Sequence, residues 1–256
     1  MPSRCAAPTT SPRSRARRRP WWTGSWVAEG VRPIALITGG TRGIGRAIAD
    51  ALAVDHRLLI GGRDAARCAE IAATYPDAIG WPADLDDPVA VAAAAADVNR
   101  LDVLVHSAGI AEGAVVAETP RDTWTRVLQT NVVAVADLTR VLLPALRSAG
   151  GHVILINSGA SMRAAPGSAA YAASKAALTS FGDALREEER GRVRVCSVHP
   201  GRVDTDMQVA LQSRKGRDYE PSEHLRPQSV AAAVRVAVDA SPEAMIESVI
   251  IRPANG

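Results

Sequence analysis

The chain has 256 residues, 47% of them hydrophobic, enough for one substantial core and in the usual range of a single α/β domain. Seven of the 30 basic residues and one of the 27 acids fall within the first 33 positions, leaving 23 against 26 and turning a formal charge of +3 into −3, so the basic balance gives no ground for a nucleic-acid-binding body. Cys5, Cys68 and Cys196 form no CxxC or Cys/His cluster, which excludes a disulfide framework and a zinc site and fits a reducing cytoplasm; no apolar run approaches the roughly 18 to 20 residues that span a bilayer.

Residues 1–32 are rich in Arg, Pro, Ser and Thr without apolar periodicity, and read as a disordered basic leader. Pro2, Pro8, Pro12 and Pro20 oppose the amphipathic helix of a transit peptide. Residues 33–256 form the predicted catalytic domain. Short apolar runs at Ile34–Thr38, Arg57–Ile60, Ala78–Trp81, Leu101–Val105, His152–Asn157, Val193–Val198 and Ser248–Ile251 alternate with helical patterns near 43–54, 64–74, 87–98, 121–148, 168–190 and 228–239. This alternation predicts an α/β fold: one Rossmann-type, doubly wound, parallel seven-stranded sheet with helices on both faces. The stretch 203–227 is the one long polar insertion, of a length usually tied to function or mobility.

The first strand runs into Thr38-Gly39-Gly40-Thr41-Arg42-Gly43-Ile44-Gly45 and then into a helix. Glycines bring backbone close to a phosphate, and the free N–H groups of the helix start point at it, so the turn predicts a dinucleotide pyrophosphate site. Further on, Tyr171 and Lys175 stand four apart, hence on one helix face, where a cation favours phenolate and lets the pair exchange a proton. Thirteen residues earlier, Ser158 closes an apolar strand at the sheet edge where such folds bind ligands, with a hydroxyl able to hold a carbonyl oxygen. Asn131 interrupts the stripe Trp124, Leu128, Val135, Leu138, Leu142 in phase, and a buried amide there needs partners. Arg163 and His199 read as solvated or packing residues, and Met207 as space-filling.

The TGxxxGxG turn, in its strand-to-helix setting, and the Ser158, Tyr171, Lys175 spacing together resemble the short-chain dehydrogenase/reductase family over roughly residues 33 to 252. Asp84 in Ala83-Asp84-Leu85 matches the adenine-contacting segment, Ala108-Gly109 matches the second half of Asn-Asn-Ala-Gly, and Pro200-Gly201-Arg202-Val203-Asp204-Thr205 matches PGxVxT on the nicotinamide side. The resemblance implies an NAD(P)-dependent oxidoreductase interconverting a small-molecule carbonyl and alcohol, with Tyr171 as general acid/base, Lys175 and Ser158 assisting and Asn131 in a proton relay. The end of the second strand, Gly62-Arg63, resembles the branch that prefers NADP(H), Arg63 and Arg42 facing the 2′-phosphate; Asp64, as a ribose acceptor, would instead take NAD(H). A homodimer through the 121–148 and 168–190 helices is implied, with little tail after Ser248–Ile251 for a tetramer interface; neither nucleic acid nor membrane is expected as partner. The alternative is a catalytically silent dinucleotide sensor of the same fold.

Overall fold

The computed structural model describes residues 32–214, 216 and 218–254, so nearly all of the predicted leader lies outside the described residues. Chain order runs β1 (Ile34–Thr38), α1 (Gly43–Leu52), β2 (Arg57–Gly62), α2 (Ala65–Ala72), β3 (Ala78–Pro82), α3 (Pro88–Ala95), β4 (Val103–His106), α4 (Arg121–Leu128), α5 (Ala134–Ala149), β5 (His152–Ile156), α6 (Ala169–Glu188), β6 (Arg194–Pro200), α7 (Asp206–Arg214), α8 (Pro227–Val238) and β7 (Ser248–Ile251). The strands pair in parallel in the order β3-β2-β1-β4-β5-β6-β7. Strand order reverses between β1 and β4, and the crevice of a doubly wound sheet opens at such a switch point.

Alternate strand residues feed two cores, the reason these strands read as continuous apolar runs rather than as alternating ones. On one face Ile37, Ile60, Val105 and Val198 pack with Ile48 and Leu52 of α1, Ile71 of α2 and Val230 and Val234 of α8. On the other, Leu36, Leu59, Leu104 and Leu155 pack with Val91 of α3, Leu138 and Leu142 of α5 and Leu178 and Leu185 of α6. Asp64 caps α2, its carboxylate accepting from Arg67 N, and Asp87 caps α3 through Val89 N and Ala90 N.

Several element bounds shift by one to three residues from the sequence reading, β6 for instance running on to Pro200, and three further details depart from it. The expected helix 121–148 is broken by a π turn at Gln129–Val133, which carries Asn131; such widened turns are frequent at functional sites. β4 starts at Val103 and takes in His106. The 203–227 insertion contains α7, whose apolar residues Met207 and Val209 are 41% and 42% exposed and so form no buried stripe to betray it.

At the turn between β1 and α1 the packing leaves no room for side chains: a Cβ on Gly45 would sit 2.2 Å from Gly39 O, while Gly39 and Gly43 hold φ of +64° and +53°. Gly45→Ala is therefore expected to cost at least about 1–3 kcal/mol in urea unfolding and to weaken dinucleotide binding. A variant that unfolds at the wild-type midpoint would refute the close approach.

Candidate active site

The crevice at the β1/β4 switch point is a cleft of about 560 Å³. Its floor is the glycine turn, with Thr38, Gly39, Thr41, Arg42, Gly43, Ile44 and Gly45 on the wall. Arg63 lines the end beside β2, Asp84 and Leu85 the rim after β3, and Ala108 and Gly109 the loop after β4. Thr205 closes the opposite side, its Cγ2 3.5 Å from where a Cβ on Gly43 would stand. Pro200, Gly201 and Val203 do not line the cleft; Gly201 N is held by Ile251 O at 2.8 Å and Val203 bridges to Leu225. Arg42, expected to face a phosphate, pairs with Asp206 at 3.3 Å, both about four-fifths exposed, so the pair contributes little stability.

Gly109 joins this cleft to Asn131 and Lys175. A Cβ there would lie 3.0 Å from Asn131 Oδ1 and 3.9 Å from Lys175 Nζ. Asn131, 1% exposed, brackets the next residue: its Oδ1 accepts from Ile110 N and its Nδ2 donates to Ile110 O, both at 2.9 Å. Nδ2 also donates to Ser174 Oγ at 3.0 Å, and Ser174 donates in turn to Tyr171 O at 2.7 Å. Asn131 thus links the loop after β4 to the helix that bears Tyr171, and the π turn is what aims it there. Lys175 is buried and donates to Ile156 O at 2.9 Å, with Nζ 5.8 Å from the Tyr171 ring centre. Ser158 follows β5, its N held by Asn157 Oδ1 at 2.9 Å and its Oγ accepting from Ala160 N at 3.1 Å, which leaves its proton for Tyr171, the group it bonds. His106, where the family pattern has Asn, bonds Thr139 Oγ1 of α5 through Nε2 at 2.9 Å and so ties the sheet to that helix.

Burial governs the electrostatics. It lifts the Tyr171 phenol above its ordinary 10, with the Ser158 hydrogen bond pulling the other way. It also pushes Lys175 down to about 8. The sequence reading expects Lys175 to depress the phenol; in the structure burial raises Tyr171, and it is Ser158 rather than Lys175 that opposes the rise. The phenol accordingly keeps its proton at neutral pH.

The short chain dehydrogenase family model matches residues 33–216, most of the chain. The chain belongs to the short-chain dehydrogenase family. This short-chain dehydrogenase is 38% identical over 189 residues to the rhamnolipids biosynthesis 3-oxoacyl-[acyl-carrier-protein] reductase of Pseudomonas aeruginosa, with 68% of the chain and 74% of the relative covered. It is 33% identical over 186 residues to the Escherichia coli 3-oxoacyl-[acyl-carrier-protein] reductase FabG, covering 70% and 76%. Against bovine dehydrogenase/reductase SDR family member 7B it is 33% identical over 205 residues, 73% of the chain, but spans only 62% of that relative's length. Among solved structures, the Pseudomonas aeruginosa RhlG/NADP complex superposes with a TM-score of 0.78 at 31% identity, covering 87% of this chain and 96% of that one. With these relatives, the short-chain dehydrogenase is an NAD(P)-dependent oxidoreductase.

Several residues of the site were not singled out in the sequence. Ser174 lies in plain view inside Tyr171-Ala172-Ala173-Ser174-Lys175, and its complete burial is what distinguishes it from a surface serine. Asn157, with Nδ2 on Thr179 Oγ1 at 2.9 Å, reads only as a strand end. His199 is 2% exposed and hydrogen-bonded, whereas Arg163 is exposed.

Because burial lowers Lys175 to about 8, its charge is lost as pH rises through that value rather than near 10.5. An uncharged amine no longer favours the phenolate left after proton donation. The rate of carbonyl reduction is expected to fall as pH rises through about 8, and pH–rate profiles of the wild type and Lys175→Met check this: the variant should be slow, with that inflection missing. An inflection unchanged in Lys175→Met would assign it to another group.

Proposed function

We propose that this short-chain dehydrogenase interconverts a carbonyl and an alcohol with Tyr171 as general acid/base, and that NADP(H) is its preferred cofactor. The observation that carries the reaction is the convergence of Ser158, Tyr171 and Lys175 at the carboxyl edge of the sheet, joined to the cleft through Asn131 and Gly109. The cradle suits a dinucleotide, since glycines stand wherever a Cβ would obstruct the turn, beside the start of α1. Once bound, the nicotinamide supplies or accepts the hydride. In reduction the Tyr171 hydroxyl gives its proton to the carbonyl oxygen, the Ser158 hydroxyl steadies the charge forming on that oxygen, and the Lys175 ammonium favours the phenolate left behind. Asn131 holds the loop after β4 against α6 and continues the proton path.

Three features of the cleft support NADP(H). Arg63 is exposed at the rim, where a guanidinium can pair with a 2′-phosphate. Asp64, the competing ribose acceptor, is engaged as the α2 cap, 3.1 Å from Arg67 N. At Gly62, where an acid would read a free 2′-OH, an added Cβ would stand 2.9 Å from Cys68 Sγ and 3.3 Å from Thr41 Cγ2. Relatives solved with NADP or 5-hydroxy-NADP point the same way. The reading further includes a cytoplasmic enzyme, a catalytic domain at 33–256 that works without residues 1–32, and a homodimer through α4–α5 and α6. Val133, 50% exposed, is an apolar side chain that such an interface would cover. Light scattering showing a stable tetramer would contradict the dimer.

Aldehydes, ketones, alcohols and a 3-oxoacyl thioester, the last suggested by the names of two relatives, form the panel to assay with NADPH and NADP⁺. Tyr171→Phe is expected to lower turnover by about 10²- to 10⁴-fold with cofactor binding unchanged, and retention of more than about a tenth of the rate would refute the assignment. For the cofactor, Arg63→Ala should weaken NADPH about tenfold at fixed salt and leave NADH unaltered. Gly62→Asp alone should bind both cofactors poorly for want of room, and joining it to Cys68→Ala should turn the preference to NADH. Equal losses for NADH and NADPH in Arg63→Ala would contradict the phosphate contact.

A further inference from the structure

The turn that carries Ser158 is braced by a side chain the reaction itself does not use. β6 brings His199 to its carboxyl end beneath Gly159–Ser161, where the ring is 2% exposed. Ser161 Oγ donates to Ser158 O at 2.7 Å, and Ser161 N donates to the same oxygen at 3.1 Å. With its one proton committed there, Ser161 Oγ can only accept across the 3.0 Å that separates it from His199 Nδ1. The network therefore assigns the ring proton to Nδ1. The same N–H faces Ser158 O at 3.4 Å. Arg252, just after β7, closes the arrangement, donating to His199 O at 2.7 Å and lying 3.0 Å from where a Cβ on Gly159 would be. Desolvation lowers the pKa of the ring, opposed by its bond to Ser158, so it stays neutral and keeps one donor on this turn.

We propose that His199 is a positioning residue, whose Nδ1–H, through Ser161 and the Ser158 peptide oxygen, fixes the turn that points the Ser158 hydroxyl at Tyr171 and the substrate oxygen. This rests on the reading that Ser158 holds that oxygen. The ring nitrogen nearest the backbone is the one in use, and this makes the proposal unusually specific. In an Asn side chain the amide nitrogen occupies the place of Nδ1, whereas in Gln it occupies that of Nε2.

The test compares His199→Asn, His199→Gln, His199→Leu, Ser161→Ala and Ser158→Ala, using NADPH and the carbonyl compound of the panel turned over fastest. His199→Leu and His199→Gln should lower kcat about tenfold to a hundredfold, the range expected when a reacting group is misplaced by about an ångström. Their dissociation constants for NADPH should stay within about twofold of wild type, and His199→Asn should restore most of the rate. Ser161→Ala, which leaves the buried ring in place, should lose kcat in the same direction, keeping the question answerable if a His199 variant does not fold. Combined with His199→Leu it should cost no more than the larger single loss. Wild-type kcat in His199→Leu, equal losses in Asn and Gln, or wild-type kcat in Ser161→Ala would each overturn the proposal. Wild-type kcat in Ser158→Ala would instead refute the role of Ser158 itself.

Discussion

One hydroxyl holds the two halves of the site in register. Thr38, the last residue of β1, is 2% exposed, and its Oγ1 accepts from Ser107 N at 3.0 Å and Ala108 N at 3.1 Å while donating to Val105 O at 3.3 Å. It thus pairs two backbone N–H groups that leave β4 with no strand partner, at the one place where the sheet changes direction. Buried N–H groups left without an acceptor cost about 1–3 kcal/mol each, so few side chains could stand there. Only two residues beyond Ala108, the backbone of Ile110 meets Asn131, and from Asn131 hydrogen bonds run through Ser174 to the peptide oxygen of Tyr171. Thr38, beside the glycine turn, and Tyr171 are therefore joined by one path of hydrogen bonds and intervening backbone.

The rest of the molecule reads as the support such a path requires. Two packed faces fix the strands, and α6 spans 20 residues, long enough to seat Tyr171 and Lys175 at one end while Leu178 and Leu185 anchor the other in the core. Burying Lys175 is unfavourable for its charge, as its lowered pKa records, and the bond to Ile156 O offsets only part of that. A charge kept in such a place is a common mark of a reacting centre. At the opposite wall His199 and Arg252 do for the Ser158 turn what Asn131 does for the loop after β4, tying it to the neighbouring strands.

Much of this was legible in the sequence, for identifiable reasons. Parallel strands buried on both faces appear as apolar runs, and the glycine turn announces itself because sterics demand glycine at Gly39, Gly43 and Gly45. Asn131 was found as a polar interruption of an apolar stripe, yet the π turn beneath it was not, since the stripe continues in phase across it. What stayed hidden depends on contacts between distant positions: Arg42 with Asp206, 164 residues apart, and Cys68 filling the space above Gly62. His199 has nothing in its neighbours to separate it from an ordinary packing residue, and only the partner on its Nδ1 gives it a task. α7 escaped notice because Met207 and Val209 are exposed and leave it without a buried apolar stripe.

Thr38→Val tests most directly the claim that cofactor cradle and proton-transfer site are one unit, because it keeps the shape of the side chain and removes only the hydroxyl. Dissociation constants for NADPH and single-turnover rates should be measured for Thr38→Val and Thr38→Ser. Coupled through Ser107, Ala108 and Ile110, both quantities should worsen by more than about tenfold in Thr38→Val and remain near wild type in Thr38→Ser. A Thr38→Val variant that binds NADPH poorly yet reacts at the full rate once saturated would show that the two halves are held independently.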